Sequence, residues 1–335
     1  MNIRIKNLVF EGGGILGIAY LGVLDYLYRN GIFQNINRVA GTSAGSISAC
    51  MSSLNLPFDR LKDIVDTLDY RKVPQKEDIP ELKNLPKILR QQLDRTFGDI
   101  DCIYRLVNSY GWYSSKYFYD WVKEQISLQF DASKKLPPYT FRDFNNSSIH
   151  KDNRPFLDLY IIGTDISNKT SKVFCYENTP DMEVAEAVRI SMSIPLFFEA
   201  NKVNTYDTTG DHFTHIFSDG GVMRNYPINL FDSTEFNSEL KNGVNMETLG
   251  SRFKAKVEYK EIDSLIKYIE NMFMAFTKIQ LDSYENSPSD IMRSIEIDTG
   301  TVSFVDFNIT PNDKTYNFLY EQGYSAADEY FFQLE

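Results

Sequence analysis

Short apolar runs, glycine turns and helix-like stretches alternate along the first fifty residues. Residues 7–10 form an apolar run typical of a buried strand, and residues 15–29 are apolar enough for a helix buried on much of its circumference. A second predicted strand, 38–40, passes through another glycine turn into a small-residue helix, 46–54, which Pro57 ends. Strand, glycine turn and helix, twice in succession, predict the start of a parallel α/β sheet.

From about residue 57 the pattern changes to polar stretches in which charged residues alternate with Leu and Ile. This alternation is typical of amphipathic helices that lie over a core rather than of further sheet. We therefore expect a helical insertion at about 57–138, with helices at 59–68, 84–97 and 116–130.

Strand signals return after the insertion. Apolar runs with β-branched and aromatic residues predict strands, and helical periodicity predicts the helices between and after them. No internal repeat or clear linker divides the chain, so we expect one α/β domain that carries a helical insertion. The predicted strands are 156–162, 172–176, 215–218 and 294–297, and the predicted helices are 182–192, 261–283 and one after Pro311.

Composition matters here mainly for what it excludes. Of the 335 residues, 42% are hydrophobic and 24% are charged, which is typical of a folded protein. A net charge of −11 argues against nucleic-acid binding and against docking on anionic lipid through a broad basic face. No run approaches the ~20 consecutive apolar residues of a membrane span, and no signal peptide is evident.

Three cysteines, Cys50, Cys102 and Cys175, are odd in number and far apart. We interpret them as reduced core residues without a disulfide or metal role. This interpretation favours a reducing compartment, so we expect a cytoplasmic protein that can contact membranes peripherally. Export by a route without a cleavable signal stays open.

Residues 41–45, Gly-Thr-Ser-Ala-Gly, match the pattern G-x-S-x-G between a predicted strand and a predicted helix. A sharp turn there needs glycine on both sides, Gly41 and Gly45, and it exposes the hydroxyl of Ser43 at the carboxyl end of the sheet. The helix N-terminus also helps to stabilise a developing alkoxide. Ser43 is therefore the candidate nucleophile, although short Gly-Ser runs are also common as plain turns.

A glycine-rich loop, with Gly12, Gly13, Gly14 and Gly17, precedes the first predicted helix. It satisfies G-x-G-x-x-G, but a dinucleotide site needs an acidic residue at the end of the next strand, and residues 32–40 contain none. A Walker phosphate loop also fails, because no Lys-Ser or Lys-Thr follows the glycines. What remains is a set of backbone N–H groups suited to an anion. If the anion is the tetrahedral intermediate made by the serine, these glycines form an oxyanion hole.

A serine nucleophile needs a base, and histidine is the usual one. His150 lies in a polar segment that looks like a solvated loop, whereas His212 and His215 lie beside the strand before Asp219. Asp219 ends a predicted buried strand, and the glycines that follow it, Gly220–Gly221, let another backbone approach. The Asp219 carboxylate is therefore the stronger candidate base, with an ordinary Asp-Gly turn as the alternative.

Taken in this order, the glycine-rich loop, G-x-S-x-G and D-G-G resemble the motifs of the patatin-like phospholipase family, which works through a Ser-Asp dyad without histidine. The resemblance covers about residues 5–230, and residues 231–335 are expected to pack on the same domain. One departure is Leu16, where many members carry Arg or Lys. Segments that fall where the family's regions between motifs are expected are 140–144, 163–165, 191–195 and 225–227.

The resemblance implies an α/β fold, a three-layer αβα sandwich with a mainly parallel sheet, and an acyl hydrolase that acts on phospholipids or other lipid esters. Ser43 would attack the acyl carbonyl, and Asp219 would take and later return its proton. The N–H groups of Gly13 and Gly14 would hold the oxyanion. The reaction would need no metal and no cofactor.

Two other interpretations stay open at this point. One is a histidine-dependent α/β-hydrolase that uses Ser43, an aspartate such as Asp165, and His212 or His215. Against it, the glycine loop and the serine turn lie only 27 positions apart, at residues 14 and 41, which leaves room for one helix and one strand. The other is a non-catalytic module that binds a nucleotide or a phosphorylated ligand at residues 12–17.

The insertion at 57–138 is the candidate cover of an acyl channel. Its helices have apolar stripes that must rest on something and charges that must face water. With a net charge of −11, any membrane contact should be local and hydrophobic. We therefore expect aggregated lipid to be turned over faster than monomeric ester.

Overall fold

The computed structural model describes residues 4–83, 85–206, 212–254, 259 and 261–334. Its strands are β1 (Asn7–Phe10), β2 (Arg38–Thr42), β3 (Gly111–Tyr113), β4 (Asp158–Asp165), β5 (Thr170–Phe174), β6 (Leu196–Phe198), β7 (Asn201–Tyr206), β8 (His212–Asp219), β9 (Thr248–Phe253) and β10 (Ser294–Ile297). Its α-helices are α1 (Ala19–Arg29), α2 (Ala44–Ser53), α3 (Phe58–Val65), α4 (Lys87–Phe97), α5 (Ile100–Ser109), α6 (Lys116–Ser127), α7 (Phe141–Phe144), α8 (Val184–Ser191), α9 (Leu265–Glu285), α10 (Pro288–Met292) and α11 (Lys314–Phe332).

Eight strands form the main sheet, in the order β10-β9-β1-β2-β4-β8-β7, with β5 also paired to β4. The strands from β10 to β4 are parallel, whereas β5 and β8 run antiparallel to β4, and β7 runs antiparallel to β8. The short strands β3 and β6 pair separately. Because β1, β2 and β4 are parallel neighbours, the turns that follow them meet at one edge of the sheet.

The main sheet has an apolar layer on each face. Leu8 and Val39 belong to the large core that also contains α1, α2, α8 and α11, whereas their neighbours Val9 and Ala40 belong to a second buried cluster with Phe231. Successive side chains of a strand point to opposite faces, so the two clusters cover the two faces. The predicted α/β sandwich with a mainly parallel sheet is confirmed.

Most predicted elements are present, with some ends shifted for local reasons. The helix expected at 15–29 begins as a 3₁₀ turn, Gly14–Ile18, before α1 starts at Ala19. The helix expected at 84–97 begins only at Lys87, because Pro86 lacks an N–H and disfavours helical backbone in the residue before it. Strand β9 was not predicted, since Gly250, Ser251 and Arg252 interrupt its apolar pattern although the whole strand is buried.

The segment 57–138 contains helices α3 to α6 and strand β3. Leu61 of α3 and both Phe118 and Trp121 of α6 join the main core, so this segment rests on the domain. Helix α4 lies farther out and exposes Ile88. After residue 231, β9 and β10 extend the main sheet beyond β1, and α11 packs along α1. Within the described part of the chain, no helix is long and apolar enough to span a bilayer.

Candidate active site

Ser43 lies on the sharp turn between β2 and α2. Its φ of 52° and ψ of −122° are strained for a residue with a side chain, a conformation that tends to persist at functional sites. The turn is tight enough that a Cβ on Gly41 would lie 2.0 Å from the carbonyl oxygen of Gly45. Glycine is therefore required at the elbow, as the G-x-S-x-G pattern predicts.

Hydrogen bonds to neighbouring segments of the chain hold the turn at Ser43. Ser191 Oγ accepts the backbone N–H of Ser43 at 2.9 Å and donates to the carbonyl oxygen of Ile162 at 2.5 Å. Thr42 Oγ1 donates to the carbonyl oxygen of Arg224 at 2.9 Å. Ser191 falls in one of the segments that resemble the family, but the sequence assigned it no role. The sequence gives no sign of this role, because Ser191 lies 148 residues along the chain from Ser43 and only the fold brings the two together.

Asp219 reaches Ser43 because β8 is antiparallel to β4. Thr42 pairs with Ile162 of β4, and the next residue of β4, Gly163, pairs with Asp219. The backbone N–H of Asp219 donates to the carbonyl oxygen of Ser193 at 2.9 Å, which fixes the end of the strand. The sheet register thus brings the predicted nucleophile and the predicted base together.

The Asp219 carboxyl is fully buried, and burial raises its pKa from the usual 3.8 to about 7. Oδ1 accepts the N–H of Gly221 at 2.7 Å, which lowers the pKa in part. The Ser43 hydroxyl is near enough to lower it as well. Even so, among the described residues Oδ2 has no partner of normal hydrogen-bonding geometry. The pair is thus close but not tightly bonded, and such contacts often tighten only when substrate binds.

The glycine-rich loop presents two backbone donors beside the serine. The N–H of Gly12 is used, since it donates to the carbonyl oxygen of Asn225 at 3.0 Å. Gly14 has a φ of 55°, and a Cβ there would lie 2.1 Å from the carbonyl oxygen of Phe304. Among the described residues, the N–H groups of Gly13 and Gly14 donate no hydrogen bond. Of the three glycines predicted for an oxyanion hole, these two have free donors.

The loop also lies against the nucleophile. A Cβ on Gly12 would lie 3.1 Å from the Cβ of Ser43, and a Cβ on Gly17 would lie 2.9 Å from that of Ala44. Leu16, where a basic residue is usual in the family, is buried in the main core instead. Residue 16 therefore contributes no positive charge to the site.

A buried polar cluster behind the loop was not predicted. Asn225 Nδ2 donates to the carbonyl oxygen of Gly12 at 3.2 Å and to Glu11 Oε1 at 3.3 Å, and Glu11 Oε2 accepts the N–H of Phe253 at 2.8 Å. Arg252, also buried, lies 3.8 Å from Glu11. Burial raises the pKa of Glu11, which the nearby Arg252 partly offsets. The cluster fixes the loop on which Gly13 and Gly14 lie.

An apolar cleft of about 790 Å³, its open mouth included, extends from Ser43. Helices α1 and α2 supply one side, and the segment 57–138 supplies much of the other. The side chains of β6 and of the segment before α11 complete it. The larger apolar lining residues are Ile15, Ile18, Leu21, Leu24, Ile47, Met51, Leu61, Val65, Leu68, Tyr70, Val73, Phe118, Trp121, Met192, Ile194, Phe198 and Phe307.

The alternative base candidates lie elsewhere. His215 Nδ1 lies 2.9 Å from Asp165 Oδ2, and among the described atoms no hydrogen bond joins either residue to Ser43. Burial raises the pKa of Asp165, but hydrogen bonds from Asn168 and His215 outweigh it, so the pKa lies below its usual value. The side chain of His212 lies outside the described residues.

The prediction of a solvated loop for His150 is wrong. The ring is buried, with its centroid 3.7 Å from that of Phe156. Its two nitrogens lie 2.8 Å from the carbonyl oxygens of Asp143 and Arg154. The polar residues before it form the exposed turns, while His150 itself pairs with Phe130 and turns inward. No cluster of metal-binding side chains occurs among the described residues.

Comparison with known proteins identifies the family. The sequence model of the family described as Patatin-like phospholipase matches residues 8–232. YqhO of Bacillus subtilis (strain 168) is 30% identical over 230 residues, which cover 67% of this chain and 65% of that relative. The protein named Probable lipid hydrolase 463L, of Invertebrate iridescent virus 6, is 26% identical over 229 residues, which cover 67% of this chain and 62% of the relative. The chain spans less than two thirds of the length of each of these relatives.

Solved structures share the fold. VipD from Legionella pneumophila superposes with a TM-score of 0.57 at 18% identity, covering 98% of this chain and 67% of VipD. ExoU of Pseudomonas aeruginosa, in its complex with SpcU, gives a TM-score of 0.50 at 18% identity, covering 98% of this chain and 53% of that one. At such identities the likeness concerns the fold alone. Because the family's sequence model matches more than half of the chain, including the serine elbow and the Asp-Gly-Gly turn, the chain belongs to the patatin-like phospholipase family.

Proposed function

We propose that this protein hydrolyses carboxylic ester bonds of lipids, as a phospholipase A or a lysophospholipase, through Ser43 and Asp219. The observation that carries the proposal is the buried pair itself. A serine on a strained turn lies beside a carboxyl whose pKa is raised to about 7. Family membership and a relative named as a lipid hydrolase support the same chemistry.

The proposed reaction passes through an acyl-enzyme. Ser43 Oγ attacks the acyl carbonyl while Asp219 Oδ2 takes the hydroxyl proton, and the oxyanion that forms accepts hydrogen bonds from the N–H groups of Gly13 and Gly14. Collapse of the intermediate breaks the ester bond, and Asp219 returns the proton to the leaving alcohol. Water then attacks the acyl-enzyme with Asp219 as its base. As the bond to Ser43 Oγ breaks and the fatty acid leaves, Asp219 returns that proton to Ser43 Oγ.

The apolar cleft supports a long acyl chain rather than a small ester. Its lining is almost wholly apolar and begins at Ser43, so a chain bound there is placed with its carbonyl at the nucleophile. Burial of each methylene contributes about 0.8 kcal/mol, which favours chains long enough to fill the cleft. The head group would then remain near the mouth.

A fluorophosphonate probe tests the proposal directly, because it labels an activated serine and does not label an ordinary one. We expect mass spectrometry of the treated protein to find the label on Ser43 and on no other serine. Ser48→Ala is the matched control, since Ser48 also lines the cleft on α2. That variant should label normally, whereas Ser43→Ala should not label. A folded protein that stays unlabelled would contradict the proposed function.

A further inference from the structure

Helix α9 packs one face on the turn that follows Asp219, Gly220–Val222, and exposes another face to solvent. On the inner face, Gln280 Nε2 donates to the carbonyl oxygens of Gly221 at 2.8 Å and Val222 at 3.2 Å, and Gln280 Oε1 accepts the N–H of Asn225 at 2.6 Å. The ring of Phe273 lies so close that a Cβ on Gly221 would be 2.7 Å from it. The helix thus packs directly on the turn that follows Asp219.

The outer face carries an apolar stripe, defined as Leu265, Tyr268, Met272, Phe276 and Ile279. Their spacings of three and four residues place them along one side of the helix. Four are exposed, Ile279 at 72% and Tyr268 at 53%, and Met272 is half-buried among them. A run of large exposed apolar side chains beside a functional site marks a contact surface rather than a solvated face.

The stripe is connected to the wall of the cleft. Helix α9 contacts β6, which supplies Phe198 to the cleft lining. Phe273 of α9 packs on Phe304, with ring centroids 6.0 Å apart, and the same segment supplies Phe307 to the lining. Helix α9 therefore contacts the turn after Asp219 and two segments that line the cleft, and it also carries the exposed stripe.

We propose that the apolar stripe of α9 is the surface that docks on aggregated lipid, and this inference rests on the proposed function. Ser43 is only 3% exposed. An acyl chain must therefore pass from the lipid aggregate into the cleft, because no exposed part of the active site can bind it from water. A stripe that enters the lipid surface holds the turn after Asp219, on which α9 packs, close to that surface. Tyr268 and Phe276 are side-chain types that suit the boundary between lipid and water.

Charge favours lipid over a second copy of the chain as the occupant. Each chain carries a net charge of −11, so two copies repel each other, and one narrow stripe offers little area to overcome this repulsion. The same charge disfavours anionic vesicles. The structure therefore points to zwitterionic lipid, held by burial of apolar side chains.

The test uses the full chain with Tyr268→Glu and Ile279→Glu combined. Met274→Glu is the matched control, because Met274 is 45% exposed on the same helix but lies outside the stripe. Binding is measured by pelleting with phosphatidylcholine vesicles in a Ser43→Ala background, and turnover is measured on vesicles and on a soluble short-chain ester. We expect the double variant to lose vesicle binding and vesicle turnover by about tenfold or more, since charges replace two apolar side chains that lipid would bury. Soluble-ester turnover should stay within about twofold, and the control should behave as wild type.

Unchanged pelleting of the double variant would overturn the docking surface. So would size-exclusion chromatography showing a wild-type dimer that the double variant converts to monomer, because the stripe would then be an interface between copies. Failure of the proposed function has a different signature, namely no soluble-ester turnover and no fluorophosphonate label on wild-type Ser43. The pelleting result does not depend on that outcome.

Discussion

At the scale of single residues, the burial of Asp219 determines how the site depends on pH. Its pKa of about 7 means that the carboxyl is protonated, and unable to act as a base, over much of the mildly acidic range. We predict that kcat/KM for a soluble ester rises about tenfold per pH unit below pH 7 and levels off above it. A profile that is flat from pH 5 to 8 would show that Asp219 does not titrate in this range.

The same burial predicts a pH-dependent stability. A carboxyl whose folded pKa is raised from 3.8 to about 7 stabilises the folded state relative to the unfolded state only at low pH, and this contribution is lost as the pH rises toward 7. Asp219→Asn removes the titration while keeping an acceptor for the Gly221 N–H.

We therefore predict that Asp219→Asn gains stability relative to wild type as the pH rises. Between pH 5 and pH 8 the gain should reach about 2–3 kcal/mol, because one pKa unit corresponds to about 1.4 kcal/mol. Urea unfolding of both proteins at the two pH values measures it. A difference between the two proteins that does not change with pH would mean that the folded carboxyl titrates normally.

Ser191 gives a residue-scale test of how the elbow is held. Ser191→Ala leaves the buried N–H of Ser43 without its acceptor, which typically costs about 1–3 kcal/mol. Ser52→Ala is the matched control, because the buried Ser52 hydroxyl has no partner among the described residues. We predict that Ser191→Ala lowers both the unfolding free energy and the rate of fluorophosphonate labelling, while Ser52→Ala changes neither. Equal effects of the two substitutions would contradict a positioning role.

At the scale of elements, local pattern and local chemistry were predictable, and long-range packing was not. The elbow at Ser43 could be predicted because strand, glycine, serine, glycine and helix follow one another in a single stretch. The placement of Asp219 followed from its motif, but the reason for it, the antiparallel pairing of β8 with β4, is set by tertiary structure. Strand β9 escaped prediction because its polar residues are buried by neighbours distant in sequence, as Arg252 is beside Glu11.

At the scale of the whole molecule, the segment 57–138 lines much of the apolar cleft, and helix α9 contacts β6, whose Phe198 lines another part of it. We predict that turnover of a short-chain phosphatidylcholine increases by about tenfold or more when its concentration passes the micellar threshold, because docking holds the turn after Asp219 close to lipid. Measurement on either side of the threshold with the same lipid isolates the effect of aggregation. Rates that follow a single saturation curve through the threshold would argue against interfacial docking.

The positions of the histidines bear on whether one of them could be the base for Ser43. The structure brings Asp165 and His215 together, as a histidine-dependent esterase would need, yet no described hydrogen bond connects the pair to Ser43. His150 is a structural residue, buried with both ring nitrogens 2.8 Å from backbone carbonyl oxygens. Sequence alone could not separate these cases, because the role of a histidine depends on which distant groups the fold places around it.

The most direct test of the account is the turnover of a soluble ester by Ser43→Ala, Asp219→Asn, the double variant of these two, and His215→Ala. If Ser43 and Asp219 act as one unit, each single variant should lose roughly 10³-fold or more in kcat, and the double variant should be scarcely slower than either. His215→Ala should keep most of the wild-type rate. A folded Asp219→Asn enzyme that retains substantial activity, or a folded His215→Ala enzyme that loses about 10³-fold, would contradict the Ser43–Asp219 dyad.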